Sequence, residues 1–289
     1  MSKPKILVQL DTDAQPSVFD SVVAVDAGVE HLFRHGGVLV SQVRDLVYGA
    51  MFTRGVDDLH HTAVFVGGSD VAAGEAVLEQ IRRTFLGPMR VSVMLDSNGA
   101  NTTAAAAVLC AGKHQPLKGA EAVVLAATGP VGSRVVRLLA LEGARVQVGS
   151  RTLARAEAVC QAVKACNAGA ELSPFETTSA SGVTNALGLA QIVIAAGAPG
   201  VELASAQARA ACECLVVAID LSAVPPLGLA GIELTDRGEK RDGMYCYGAL
   251  GVGGTKMKIH KAAIRQLFTR GDQVLDAEEI FRIGQQLAG

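Results

Sequence analysis

The sequence predicts an α/β protein built as two domains. The chain of 289 residues is 49% hydrophobic, enough to bury one large core or two medium ones. Short β-branched runs (KILVQL, TAVFVGG, RVSVML, EAVVLAA, RVQVG, IVIAAG and LVVAID) alternate with alanine-rich stretches of helical length. The strands are continuously apolar and bounded by glycine, the pattern of a parallel sheet covered on both faces.

Composition narrows the partners. Charged residues make up 19% of the chain and the net charge is −2, so no basic field is available for nucleic acid or an anionic membrane. A small molecule is the expected partner. The opening MSKPKILVQLDTD lacks the long apolar region and small-residue cleavage site of a signal peptide. Later apolar runs such as IVIAAGAPGV are too short and glycine-rich to span a bilayer, and the expected location is the cytoplasm. Six cysteines are too sparse for a disulfide scaffold. The Cys212/Cys214 pair has no second pair nearby, so a structural zinc is not expected and the thiols are read as reduced and mostly buried. His60 and His61 are adjacent, which on a regular element makes their side chains diverge; a solvated loop is expected there.

The segment CAGKHQPLKGAE (110–121) interrupts the periodicity before the strand at 121. The glycine-rich GALGVGGTK (248–256) is a second interruption, followed by an amphipathic pattern from Lys258 to Phe268. These breaks predict a discontinuous α/β substrate domain, 1–114 with 251–289, and an inserted domain, 115–250, with a cleft between them.

The inserted domain carries a cofactor fingerprint. After EAVVLA come Ala127, Thr128, Gly129, Pro130, Val131 and Gly132, then a helix-compatible stretch and the strand RVQVG. This is G-x-G-x-x-G with alanine at the first position, in the strand-turn-helix-strand setting of a Rossmann-type dinucleotide fold. Gly129 lets the backbone approach a pyrophosphate, Gly132 lets helix and strand pack closely, and the helix N-terminus faces the negative charge. A positive φ at Ala127 would be strained by its Cβ. About twenty residues on, where NAD enzymes place a carboxylate for the ribose 2′-hydroxyl, stand Ser150 and Arg151. A hydroxyl and a guanidinium suit a 2′-phosphate, and the cofactor expected is NADP; the alternative for Arg151 is a solvated helix-start residue. Gly197, in AAGAPG, and Asp220, after LVVAI, end later strands at the carboxyl edge that lines the cofactor crevice. Asp220 is read equally as a turn residue.

In the other domain, DTDAQPSVFD and the loop Asp96-Ser97-Asn98-Gly99-Ala100-Asn101-Thr102-Thr103 cluster polar side chains beyond strands. Helix capping by Ser17 or Thr102 accounts for one hydroxyl in each segment, not for the clusters. These stretches, with the TRG at 53–55, AVFVGGSDVAAGE, VSVMLDSNGANTTAAAA, TGPVG, VPPLGLAGI, GALGVGGTKMKIHKA and LDAEEI, occur in this order over nearly the whole chain. In them the sequence resembles the NADP-dependent methylene-tetrahydromethanopterin / methylene-tetrahydrofolate dehydrogenases of methylotrophic bacteria.

The resemblance implies reversible hydride transfer from the methylene bridge of a one-carbon-loaded pterin to NADP+, leaving a methenyl cation, in a homo-oligomeric enzyme of one-carbon metabolism. It assigns Lys256 and Asp20 as catalytic, the lysine hydrogen-bonding the pterin and the carboxylate stabilising the developing cation. Asn98, Asn101, Thr102 and Thr103 would orient the ring. Lysine after a glycine-rich run is also a natural phosphate partner, and Asp20 is also placed to cap a helix. The related bifunctional folate enzymes use a Tyr-x-x-x-Lys pair for cyclohydrolase activity. Here Tyr48 is followed by Phe52, so dehydrogenase activity without cyclohydrolase activity is expected. Two alternatives stand beside this reading: a shikimate-dehydrogenase-like NADP reductase, for which the absence of lysine between Lys5 and Lys113 is unfavourable, and a non-catalytic NADP-binding sensor.

Overall fold

A computed structural model describes residues 3–288. The chain divides into two compact units, 1–102 with 257–289, and 103–256. Both boundaries fall inside helices, α4 (Ala100–Gly112) and α9 (Ala249–Gln266), rather than at the loop and glycine run where sequence periodicity breaks. Glycine is a poor helix former, yet GALGVGG enters α9. Bare backbone is required there: a Cβ on Gly248 would collide with the carbonyl of Glu233, and one on Gly251 with that of Asp236.

The first unit contains β1 (Ile6–Asp11), α1 (Val18–Asp26), β2 (His31–His35), α2 (Val43–Met51), β3 (Thr62–Gly67), α3 (Val71–Thr84), β4 (Ser92–Leu95), β12 (Val274–Leu275) and α10 (Ala277–Ala288). Its five strands pair throughout in parallel in the order β12-β4-β3-β1-β2. Continuous burial of Thr62–Gly67 and Ser92–Leu95 follows from helical cover on both faces. The exposed, charged HLFRH of β2 carries no apolar run because it is an edge strand.

The second unit contains β5 (Glu121–Leu125), α5 (Pro130–Leu141), β6 (Arg145–Ser150), α6 (Leu153–Cys166), β7 (Leu172–Glu176), α7 (Ala180–Leu187), β8 (Ile192–Ala195), α8 (Ala206–Ala210), β9 (Val217–Asp220) and the hairpin β10 (Arg237–Arg241) with β11 (Met244–Tyr247). The order is β10-β11-β9-β8-β5-β6-β7, parallel except for β10 against β11. β7 contains Pro174 and sits at the edge, where a missing N–H is tolerated. The predicted α/β class and Rossmann-type sheet are present.

His60 and His61 depart from expectation. They close a 3₁₀ turn over Val56–His61, and their rings lie 3.9 Å apart between centroids rather than diverging. Cys110, Cys160, Cys212 and Cys246 are buried free thiols, while Cys166 and Cys214 are exposed. Among the described residues no helix is long and apolar enough to cross a membrane.

Candidate active site

In the second unit, chain order reverses direction between β5 and β8, the switch point at which open α/β sheets bind ligands beyond their carboxyl ends. A pocket of about 260 Å³ lies there, lined by Ala126, Thr128 and Gly129 after β5, Ser150, Arg151 and Arg155 around the end of β6, Thr177 after β7, and Ala196, Gly197, Ala198, Val201 and Leu203 after β8. Five predicted cofactor residues, Thr128, Gly129, Ser150, Arg151 and Gly197, are thereby brought together.

The turn works differently from the sequence expectation. Positive φ falls on Ala126 (φ 55), not on Ala127, which is fully buried; Ala127 donates its N–H to the carbonyl of Gly149 at 2.9 Å. The strain of a Cβ in the left-handed region is therefore at the position before the fingerprint. A Cβ on Gly132 would stand 2.6 Å from the carbonyl oxygen of Ala126 and 2.8 Å from Ala127 Cα, so α5 can approach the turn this closely only with glycine there. At Gly129 the nearest atoms would be 3.7 and 3.8 Å away, so the fold tolerates a side chain that an approaching phosphate would not. Gly129 is the N-cap of α5 and Pro130 its first residue, where a missing N–H costs nothing. Val131 follows in the same turn.

Around β6 the hydroxyl of Ser150 is buried and accepts from the N–H of Thr152 at 3.5 Å. Arg151 is exposed, and Arg155, one helical turn into α6, joins it in the pocket wall. Sequence reasoning missed Arg155, although its i+4 spacing from Arg151 was the available signal. Two guanidiniums with a hydroxyl, and no carboxylate lining the pocket, fit the 2′-phosphate of NADP.

Asp220 does not line this pocket. It is fully buried, and its two oxygens accept N–H groups from Ser222 (2.8 Å) and Leu229 (2.7 Å), tying down the loop after β9. Burial pushes its carboxyl above the usual range, partly offset by these backbone donors. Of the two readings weighed, the turn role is the one its geometry displays.

The first unit has its own switch point, between β1 and β3. Asp13, after β1, accepts from Ser69 N (2.9 Å) and Ser69 Oγ (2.8 Å), after β3. Asn98 donates its N–H to the carbonyl of Gly68 at 2.6 Å, so loops following three adjacent strands are linked. Asn98 has φ 54 and is exposed, as befits a residue tolerated in the left-handed region.

Asn101 and Thr102 are both buried. Asp96 caps α4 by accepting from Asn101 N (2.9 Å) and Thr102 N (3.0 Å), and it receives the Thr102 hydroxyl at 2.6 Å. Asn101 Nδ2 donates to the carbonyl of Leu95 (2.6 Å) and to Asp276 (3.0 Å). The predicted substrate loop is thus internally braced, with Asn98 on its outer side and Thr103 half-buried.

Asp20 stands in the first turn of α1, whose cap is Ser17 through an Oγ contact to Asp20 N at 3.2 Å. Asp20 Oδ1 is 3.9 Å from Nε2 of His260. That imidazole is fully buried, stacks on Phe65 (5.7 Å, 20°) and faces the ring of Phe19 at 6.3 Å. His260 was not singled out from sequence. Lys256, half-buried in α9, precedes it by one helical turn.

Residues 18–98 match the family described as "Methylene-tetrahydromethanopterin dehydrogenase, N-terminal". The chain is 45% identical over 290 residues to "Bifunctional protein MdtA" of Methylorubrum extorquens, covering 100% of each. It is 29% identical to the "NAD(P)-dependent methylenetetrahydromethanopterin dehydrogenase" of the same organism, covering 94% of this chain and 95% of that one. Among solved structures, shikimate 5-dehydrogenase from Listeria monocytogenes shares the fold with a TM-score of 0.53 at 14% identity, covering 99% of this chain and 96% of that one. Identity of this extent to MdtA, together with the family match over residues 18–98, makes the chain a member of the methylene-tetrahydromethanopterin dehydrogenase family.

Proposed function

We propose that this chain catalyses reversible NADP-dependent oxidation of 5,10-methylene-tetrahydromethanopterin, and also of 5,10-methylene-tetrahydrofolate, to the methenyl form. The reading is carried by the match of residues 18–98 to the methylene-tetrahydromethanopterin dehydrogenase family, with the likeness over 94% of the chain to the NAD(P)-dependent methylenetetrahydromethanopterin dehydrogenase of Methylorubrum extorquens. The wall formed by Ser150, Arg151 and Arg155 supports NADP as the cofactor. NADP+ supplies the hydride acceptor when bound.

Loss of hydride leaves a cation delocalised over two pterin nitrogens, so no proton need be moved, and positioning with electrostatics carries the acceleration. Asp20, one side of which faces buried rings, supplies negative charge for that cation. Lys256 donates to the pterin. Asn98 and Thr103 touch the ring, while Asn101 and Thr102 act through Asp96 to hold the loop that presents them. Gly129 and the start of α5 receive the pyrophosphate, Gly132 keeps α5 close to β5, and Gly197 lets the nicotinamide half approach the backbone.

Cyclohydrolase activity is absent in this reading, because α2 offers Tyr48 packed against Phe52, ring centroids 5.1 Å apart, with no lysine four residues on. Action in the cytoplasm as a homo-oligomer belongs to the same proposal; exposed Val18, Val22 and Val25 along one side of α1 support self-association.

The test is NADP+ reduction by purified protein with each methylene-pterin, alongside hydrolysis of each methenyl-pterin. Reduction without hydrolysis is expected. Failure to reduce NADP+ with either pterin would remove the substrate assignment, and methenyl hydrolysis would remove the claim of a single activity.

A further inference from the structure

A pocket of about 360 Å³ lies under α2 at the edge of the five-stranded sheet, apart from both switch points. Its floor is Ile6 and Val8 of β1 with Phe33 of β2, Val8 and Phe33 being direct neighbours in register. Thr62 pairs with Ile6 across β1 and β3, so its side chain shares that face. Elsewhere α2 covers the face with Val43, Val47, Ala50 and Met51. At Gly49 it brings no side chain, and an added Cβ would find nothing within 4 Å. The absent side chain leaves the gap open.

Two residues of the pocket wall carry buried hydrogen-bonding atoms without partners among the described residues. Arg54, the centre of the TRG stretch, donates from Nη2 to the carbonyl of Pro4 at 3.0 Å, while its Nη1 is buried with no partner among the described residues. Thr62 is 3% exposed, and its Oγ1 is likewise buried and unpartnered. Each such group costs about 1–3 kcal/mol until an acceptor or donor reaches it. Asp45, also in the lining, is largely exposed at the rim and lies 3.4 Å from Arg44, so its charge is screened by water. Cationic and hydroxyl donors therefore meet an apolar floor.

We propose that this pocket binds a small apolar molecule bearing a carboxylate, its head at Arg54 and Thr62 and its body along Ile6, Val8 and Leu46. The volume is at the low end of the roughly 300–1,000 Å³ of small-molecule sites, and since a cavity of about 150 Å³ holds a benzene ring, it has room for a body of one or two rings. Ile6 and Thr62 open β1 and β3, whereas Asp13 and Ser69 follow the far ends of the same strands. At about 3.3 Å per residue the two sites are nearly 20 Å apart, so the occupant is distinct from the pterin.

Benzoate is the probe, titrated calorimetrically into the full chain, with benzyl alcohol as the uncharged control. Thr62→Val keeps the shape while removing the hydroxyl, and Gly49→Leu fills the gap from a helix position with open space. Saturable benzoate binding, weakened at least about tenfold by T62V and abolished by G49L, with NADP affinity unchanged in both variants, is the expected result. Absence of saturable binding, or binding indifferent to both substitutions, would overturn the site. Benzyl alcohol binding as tightly as benzoate would overturn the carboxylate assignment.

Discussion

Oδ1 of Asp20 lies 3.9 Å from Nε2 of His260, an imidazole sealed between Phe65 and Phe19 with no solvent exposure. The backbone N–H of Asp20 donates to the cap Ser17 at the start of α1, and its carboxylate lies beside the buried ring. Asp20→Asn preserves shape and removes charge. Turnover should fall on the order of 10²-fold, as when one electrostatic group is lost from a preorganised site, with NADP affinity unchanged. Steady-state kinetics beside cofactor titration checks this; unchanged turnover would exclude Asp20 from the reaction.

The two fingerprint glycines should separate in their effects. Gly132→Ala places a Cβ against the carbonyl of Ala126 and the Cα of Ala127, an overpacking that costs about 1–3 kcal/mol and lowers both the melting temperature and NADP affinity. Gly129→Ala meets only ordinary contacts, so it should weaken NADP binding while leaving the melting temperature near that of the parent. Thermal unfolding with and without NADP distinguishes the two.

Thr102 and Asn98 should separate in the same way. Thr102→Val removes the 2.6 Å hydrogen bond to buried Asp96 and should destabilise by about 1–3 kcal/mol, with loss of stability exceeding any change in pterin KM. Asn98→Ala, on the outer side of the loop with φ 54, should raise the pterin KM. The reverse pattern would make Thr102 the ligand and Asn98 the brace.

Much of this was legible in the sequence, for reasons that individual residues display. Apolar runs such as AVFVG and AVVLA are visible because parallel strands buried on both faces leave no polar alternation. β2, β7 and β10 were not legible, since edge strands carry charges and Pro174 reads as a break, and β11, MYCY, is too short to stand out as an apolar run. Arg151 stands out because it lies at a fixed distance from the fingerprint, whereas the i+4 spacing of Arg155 gains weight once α6 is seen to start at Leu153. His260 looks from sequence like any core histidine; its proximity to Asp20 is created by packing between residues 240 apart. Asn101 and Thr102 look like ligands until their partner Asp96 is seen.

Asp220 yields a prediction with a definite sign. Burial raises its folded carboxyl above the unfolded value, so the native state binds its proton more readily than the unfolded chain does. Its contribution to stability is therefore fully present below the unfolded value and is lost as pH rises through the raised one. The melting temperature of the parent relative to Asp220→Asn should rise on acidification from neutral pH. A difference that stays flat or shrinks in acid would place the carboxyl at or below its ordinary value.

Recognition of the NADP 2′-phosphate by Ser150, Arg151 and Arg155, which line one pocket, is the central proposal. The measurement that tests it most directly compares kcat/KM for NADP+ and NAD+ with methylene-tetrahydromethanopterin, in the parent and in Arg151→Ser. The parent should prefer NADP+, and R151S should lose about 10- to 100-fold with NADP+, the worth of one charge-assisted hydrogen bond, while its rate with NAD+ is unchanged. Equal use of NAD+ by the parent, or an equal loss with both cofactors in R151S, would contradict it.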